Sequence, residues 1–182
     1  MPPYTAKPNR LGSHAMTDST ARPRRLPRRK SPRLRDFDYP ASSGYSVTIC
    51  TRNRAAHFRD EKAGREVAQC LEEQARETGY RQVAYCIMPD HFHILTGPGD
   101  RETAPPLPRF IQRFKSAATH RLWKLGITGV VWQSSYYGHV LRRDEDLGRV
   151  AEYILGNPVR KGLVAVAKAY PLSRHFPGNW PV

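Results

Sequence analysis

The order of strand and helix patterns constrains the fold of this chain more than any other feature. A strand pattern rich in β-branched residues at Tyr45–Thr51 precedes an amphipathic helical pattern at residues 61–78. Two further strand patterns, Gln82–Met88 and His91–Thr96, are joined by the two-residue turn Pro89-Asp90. Such a short connection joins antiparallel neighbours, so these two strands are predicted to pair as a hairpin.

The second half of the pattern repeats the first. Residues 107–125 place apolar side chains at helical spacing and predict a second helix. A fourth strand is predicted near Val130–Gln133 and resumes through Tyr137–Leu141. Asp144 has the character of an N-cap for a third helix, which Pro158 is expected to end.

The resulting order, β-α-β-β-α-β-α, predicts the α+β class. Two strand-helix-strand units with antiparallel neighbours are typical of the ferredoxin-like fold, which RNA-recognition (RRM-like) modules also use. We expect the helices to cover one face of the antiparallel sheet and to leave the other face for a ligand. Residues 165–182 are rich in proline and aromatic residues and predict packed coil.

Residues 1–40 differ from the rest of the chain. They contain ten Lys or Arg and three Asp, a local charge of +7, and few apolar residues. Such a segment cannot offset the entropy of ordering, so a disordered basic Pro/Arg-rich arm is predicted, followed by one globular domain over 41–182. The arm is compatible with a nucleic-acid tether and equally with a solvated leader.

Charge and cysteine content limit the partners and the compartment. The formal net charge of +14 favours a polyanionic partner at long range. Three cysteines (Cys50, Cys70 and Cys86) cannot all pair within one chain and lie in apolar stretches, so buried, reduced thiols are predicted. No apolar run approaches the length of a membrane helix. We therefore expect a cytoplasmic, nucleoid-associated protein with no membrane partner.

His91 and His93 are the first candidate site residues. Strand side chains alternate, so the two imidazoles share one sheet face while Phe92 points into the core. Two neutral imidazoles on one face form half of a metal site. A pair of surface histidines is the alternative, and Asp90 could either orient a histidine or serve the turn, which we favour.

Tyr153 and Asn157 are the second pair. They lie one helical turn apart at the edge of the apolar stripe of the third helix. A tyrosine there can simply pack at the rim of the core. The amide oxygen of Asn157, however, is a hard ligand suited to magnesium or manganese. Tyr136 and Tyr137 are competing tyrosines, which we interpret as core or DNA-stacking residues.

Two segments together resemble a known family. Met88-Pro89-Asp90-His91-Phe92-His93-Ile94-Leu95 and the run from Tyr153 through Asn157-Pro158-Val159-Arg160 to Val164 resemble the single-tyrosine HUH (IS200-like) transposases, and within them the REP-associated tyrosine transposases. The resemblance covers about residues 45–164. It implies His91 and His93 as metal ligands, Tyr153 as nucleophile and Asn157 as a further ligand.

The resemblance also implies an activity. The expected reaction is cleavage and transfer of single-stranded DNA strands at palindromic REP-like repeats, through a 5′-phosphotyrosine intermediate and with Mg²⁺ or Mn²⁺. The partner would be single-stranded or hairpin DNA, and the protein a monomer or a homodimer. Because a phenol ionises poorly at neutral pH, stabilisation by the metal or by nearby cations is required, and Lys115, Arg142 and Arg143 are candidate cations.

Basic residues on the second helix are candidates for DNA contact. They are Arg109, Arg113, Lys115, Arg121 and Lys124. They form either a phosphate-binding stripe or a solvated face, and Trp123 or Tyr137 could stack on unpaired bases. Two alternative functions remain open: a nucleic-acid-binding module without catalysis, and a metal-dependent nuclease that uses water.

Overall fold

The computed structural model describes residues 44–99, 103–141 and 146–179. The predicted arm at 1–40 lies outside the described residues, as do Arg142, Arg143 and Asp144.

An antiparallel sheet organises the described residues. Its strands are β1 Tyr45–Cys50, β2 Tyr80–Met88, β3 His91–Pro98, β4 Tyr137–Val140 and β5 Ser173–His175. They lie in the order β4-β1-β3-β2-β5, and every neighbouring pair is antiparallel. The first four strands have the order expected of a ferredoxin-like sheet, so the predicted α+β class is confirmed.

Two long helices cover one face of the sheet. The helices of the described ranges are α1 Glu61–Glu77, α2 Leu107–Lys124, α3 Leu147–Leu155 and α4 Asn157–Arg160. Asp60 caps the N-terminus of α1: its carboxylate accepts a hydrogen bond from the Lys62 amide. α1 and α2 pack against the strand residues that point to their side, and Phe92 of β3 meets Phe114 of α2 edge to face at 5.3 Å. This layer is the main core.

α3 packs on the opposite face, so the expectation that all helices share one face is wrong. Ala151 and Ile154 are buried there against Cys86 and Leu95 of the central strands. β2 and β3 carry apolar side chains on both faces, so they can be covered from both sides. The consequence is that α3 lies on the same face as His91 and His93.

Two details of the third helix also differ from prediction. Its cap is Asp146, not Asp144: the Asp146 carboxylate accepts from the amides of Gly148 and Arg149. Pro158 does not end α3, because Gly156 intervenes and Pro158 lies in the first turn of α4. Proline is tolerated there since a first-turn N–H has no intrahelical partner.

The predicted fourth strand is confirmed in its second part, as β4 Tyr137–Val140, but not in its first part, and β5 was not predicted. Residues 130–133 do not form a strand; only an isolated bridge joins Trp132 to Thr51. The C-terminal tail, predicted as coil, contributes the three residues of β5 to the edge of β2. Within the described ranges, no helix has the length and apolar character needed to cross a membrane.

The three cysteines are unpaired. Cys70 and Cys86 are buried as predicted, and burial raises the pKa of their thiols to about 11 and about 12. Cys50 is only partly buried, because it lies on the less covered face of β1, directly across from His91.

Candidate active site

His91 and His93 lie side by side on β3, on the face that α3 partly covers. Their rings meet nearly perpendicular, with 5.0 Å between centroids. Phe92, between them, is fully buried in the opposite layer. The alternation of β3 therefore places the pair as the sequence predicted.

A different neighbour holds the Nδ1 atom of each imidazole. Asp90 Oδ1 lies 2.5 Å from Nδ1 of His91, and Thr48 Oγ1 lies 2.9 Å from Nδ1 of His93. A hydrogen bond at one ring nitrogen fixes the orientation of the ring and reserves the other nitrogen for a ligand. Each contact at Nδ1 thus fixes the orientation of its imidazole ring.

The electrostatics favour a neutral His93. Burial, followed by the charges of His91, Arg160 and Arg54, lowers the pKa of His93 to about 4. The ring is therefore uncharged at neutral pH and keeps a free lone pair. For Asp90, partial burial acts in the opposite direction, but the hydrogen bond and charge of His91 and the charge of Arg54 lower its pKa below the usual value.

Asp90 serves both the turn and the histidine, whereas the sequence favoured the turn alone. Its backbone carbonyl accepts hydrogen bonds from the amide and the hydroxyl of Thr51, at 3.0 and 2.8 Å. Its side chain contacts His91. Arg54 approaches the same carboxylate at 3.3 Å. Arg54 and Asn53 have left-handed backbone φ of 57° and 53°, which is costly for arginine. The turn after β1 therefore brings a cation to the outer side of Asp90.

Tyr153 is exposed on α3. Its fractional exposure is 62%, so the hydroxyl is not enclosed by packed side chains. Within the part of the chain that the structure describes, the phenolic oxygen has no hydrogen-bond partner. The guanidinium carbon of Arg160 lies 4.0 Å from the centroid of the Tyr153 ring. Tyr153 is therefore open to solvent on the helix that packs on the histidine-bearing face.

Asn157 begins α4 and is fixed at both ends of its amide. Its Nδ2 donates to the Ile154 carbonyl at 3.0 Å, and its Oδ1 accepts from Nη2 of Arg160 at 2.9 Å. These two hydrogen bonds place the amide oxygen of Asn157 toward Arg160 and its amide nitrogen toward Ile154. Sequence reasoning missed Arg160, although its spacing of seven residues from Tyr153, about two helical turns, could have identified it.

The predicted basic residues of α2 are not brought to the histidines. α2 packs on the opposite face of the sheet through Phe114. Arg121 pairs with Glu73 and Glu66 of α1, and Arg113 lies 3.9 Å from Glu77. Lys115 donates to the carbonyls of Gln133 and Ser135 at 2.8 and 3.3 Å. Arg109 and Lys124 are exposed.

Tyr137 shares the face of the histidines. It is the cross-strand partner of Thr48, which in turn is paired with His93. Directly opposed residues of antiparallel strands point to the same face. Tyr137 is 72% exposed, so an aromatic ring lies open on β4 in the same row as His93.

Comparison with known proteins identifies relatives. The family model described as "Transposase IS200 like" matches residues 41–157. A Haemophilus influenzae protein, named as a candidate REP-associated tyrosine transposase, is 25% identical over 150 residues, which cover 75% of this chain and 81% of that protein. An uncharacterised protein of the same organism is 25% identical over 159 residues, covering 72% and 88%.

One solved structure has the same fold. It is a REP-associated tyrosine transposase bound to a REP hairpin, with a TM-score of 0.64 and 19% identity, and the match covers 80% of this chain and 89% of that one.

Proposed function

The chain belongs to the IS200-like transposase family, and on that premise we propose that it cleaves and rejoins single-stranded DNA through a covalent bond to Tyr153. The relatives named for REP elements, one of them bound to a REP hairpin, support hairpins of palindromic repeats as the substrate. The observation that carries the proposal is the exposed Tyr153 on a helix packed against the histidine-bearing face.

The proposed chemistry uses the phenolic oxygen of Tyr153 as nucleophile. Its attack on the scissile phosphorus forms a phosphotyrosine bond to the 5′ side and breaks the bond to the 3′ oxygen, which takes up a proton and leaves as a hydroxyl. Attack by another 3′-hydroxyl then reverses these bond changes and releases the tyrosine. The phosphodiester energy is kept in the ester, so no ATP is needed.

We propose His91, His93 and Asn157 as the residues that would hold Mg²⁺ or Mn²⁺. The donor set fits such an ion, because each imidazole is oriented through Nδ1 and Asn157 supplies a hard amide oxygen. When bound, a divalent ion acts as a Lewis acid on a phosphate oxygen.

A denaturing gel tests the proposal directly. The full chain is incubated with a labelled DNA hairpin that carries a single-stranded flank, in the presence of Mn²⁺. We expect a DNA adduct that survives denaturation and disappears on protease treatment. A chelator should prevent its formation. Cleavage without an adduct, or binding without either, would reject the covalent mechanism.

Tyr137→Ala is expected to weaken binding of single-stranded DNA. Stacking of a base on an exposed aromatic ring contributes about 1–3 kcal/mol, which corresponds to roughly 5- to 150-fold in Kd. Fluorescence anisotropy with a short unpaired oligonucleotide measures this change.

Two control variants locate the effect. Tyr137→Phe retains the ring and should bind like the parent chain. Trp123→Ala removes an exposed aromatic from α2, on the opposite side of the sheet, and should leave the Kd within about twofold. Equal losses for Trp123→Ala and Tyr137→Ala would contradict a binding surface on the histidine face.

Asp90→Asn is expected to lower Mn²⁺ affinity by about 10- to 100-fold, the range found when a group that orients a metal-binding histidine is changed. Asparagine keeps the size of the side chain but lacks the carboxylate that holds Nδ1 of His91. Isothermal titration calorimetry with Mn²⁺ gives the affinity.

Arg54→Met is the matched control for the Asp90 variant. It removes the exposed ion pair on the outer side of Asp90 while leaving the contact of Asp90 with His91, and such exposed pairs contribute little. Mn²⁺ affinity should change by less than about threefold in this variant. An Asp90→Asn protein that binds Mn²⁺ as tightly as the parent chain would show that Asp90 serves the turn alone.

A further inference from the structure

Arg160 makes three contacts with the two functional residues of the α3–α4 segment. Its guanidinium lies over the Tyr153 ring at 4.0 Å, its Nη2 donates to the Tyr153 carbonyl, and the same nitrogen donates to Asn157 Oδ1 at 2.9 Å. The side chain therefore folds back from the end of α4 across the junction with α3. One planar group contacts the proposed nucleophile and the proposed ligand together.

The junction is shaped to let the guanidinium pass. A Cβ added to Gly156 would lie 2.8 Å from Nη1 of Arg160, 3.2 Å from the Glu152 carbonyl oxygen and 3.8 Å from the guanidinium carbon of Arg160. Gly156 has an ordinary right-handed backbone, with φ of −77°, so glycine is not required there for its conformational freedom. The nearest atom that the missing Cβ leaves room for belongs to the guanidinium of Arg160.

Little else restrains Tyr153. The side chain is largely exposed, and the described residues give its hydroxyl no partner. An exposed tyrosine samples several rotamers, whereas a reacting group must be held in one geometry for in-line attack. A flat guanidinium can hold a ring by stacking and an amide oxygen by hydrogen bonding at the same time, which an ammonium group cannot do.

We propose that Arg160 is a positioning residue for strand transfer, holding the Tyr153 ring and the Asn157 amide in a fixed relation to each other. The inference rests on the proposed function, because it takes Tyr153 as the nucleophile and Asn157 as a ligand. In this proposal Arg160 acts by holding the Tyr153 and Asn157 side chains, and not by attracting DNA through its positive charge.

Arg160→Gln and Arg160→Lys test the role in catalysis. In a single-turnover assay with the hairpin and Mn²⁺, both should slow adduct formation by about 10- to 100-fold, the order found when an orienting group is lost. Hairpin Kd should change by less than about threefold. Lys161→Gln, which removes the adjacent exposed charge, is the matched control and should leave the rate unchanged.

A second measurement needs no activity. With 3-fluorotyrosine placed at position 153, the ¹⁹F signal of the metal-free protein reports the surroundings of the ring. We expect Arg160→Gln and Arg160→Lys to move this signal toward that of free fluorotyrosine, and Lys161→Gln to leave it in place. If the parent chain forms no adduct, the proposed strand transfer fails. The ¹⁹F arm would still decide whether Arg160 holds the ring.

Gly156→Ala provides a test that leaves Arg160, Tyr153 and Asn157 in the sequence. The new methyl group should displace the guanidinium and reproduce both the slower rate and the ¹⁹F shift. In an Arg160→Gln background the same change should add almost nothing, because its target is already absent. Additive effects would overturn the inference, as would an Arg160→Gln protein with unchanged rate and ¹⁹F signal, or a loss that appears entirely in Kd.

Discussion

Tyr153→Phe is expected to abolish the covalent protein–DNA adduct while leaving hairpin binding and thermal stability unchanged. The substitution removes one oxygen atom, which is the proposed nucleophile. Loss of a covalent nucleophile lowers the rate by at least about 10⁴-fold in enzymes that depend on one. The hydroxyl has no hydrogen-bond partner among the described residues, and a phenylalanine ring can still stack under Arg160. Denaturing gels measure the adduct, and anisotropy measures binding.

The same variant separates the alternative functions. Tyr137→Phe is the matched control, because it deletes the same atom from another exposed tyrosine on the same face, and it should still form the adduct. If Tyr153→Phe cleaves DNA at the parental rate, water is the nucleophile and the protein is a nuclease. If neither the parent chain nor the variant cleaves although both bind, the domain is a nucleic-acid-binding module.

The sequence predicted those features that depend on local periodicity. The two-residue alternation of β3 places His91 and His93 on one face whatever the helices do, and the Pro89-Asp90 turn makes β2 and β3 neighbours. The strand order then follows from the few topologies that strand-helix-strand units allow. The predicted ferredoxin-like order therefore agrees with the observed sheet for the strands β1 to β4.

Features that depend on tertiary packing could not be predicted in this way. The apolar stripe of α3 shows that the helix buries one side, but not which sheet face receives it. The short polar segment Ser173–His175 has no strand pattern in the sequence. It is a strand because its backbone pairs with β2, which local sequence does not reveal. Side-chain contacts such as Arg54–Asp90 and Arg160–Asn157 depend on the turns that carry them.

The basic residues of α2 illustrate a further limit. In the sequence, Arg113 and Arg121 stand on a helix with few acids, which favoured a phosphate-binding stripe. Their partners are Glu77 and Glu73, which lie on α1 and more than 35 residues earlier in the chain. These ion pairs join α2 to α1, so at least part of the positive charge of α2 is neutralised by carboxylates of the same domain.

His93→Ala is expected to eliminate Mn²⁺ binding and adduct formation. A divalent ion stabilises developing phosphate charge by several kcal/mol, so its loss corresponds to about 10³-fold or more in rate. The fold should survive, because His93 lies on the side of β3 away from the main core and the change removes only its contacts with Thr48 and with the His91 ring. Calorimetry with Mn²⁺, the adduct assay and thermal unfolding measure the three quantities.

Two further variants make the His93 result specific. His120→Ala makes the same change on α2, which packs on the other face of the sheet, and should bind Mn²⁺ like the parent chain. Thr48→Val keeps His93 but removes the hydroxyl that holds its Nδ1, so it should lower Mn²⁺ affinity by about 10- to 100-fold rather than abolish binding. If His93→Ala binds Mn²⁺ and forms the adduct at parental levels, the paired imidazoles are not the metal site, because a variant that lacks a required ligand could not retain both properties.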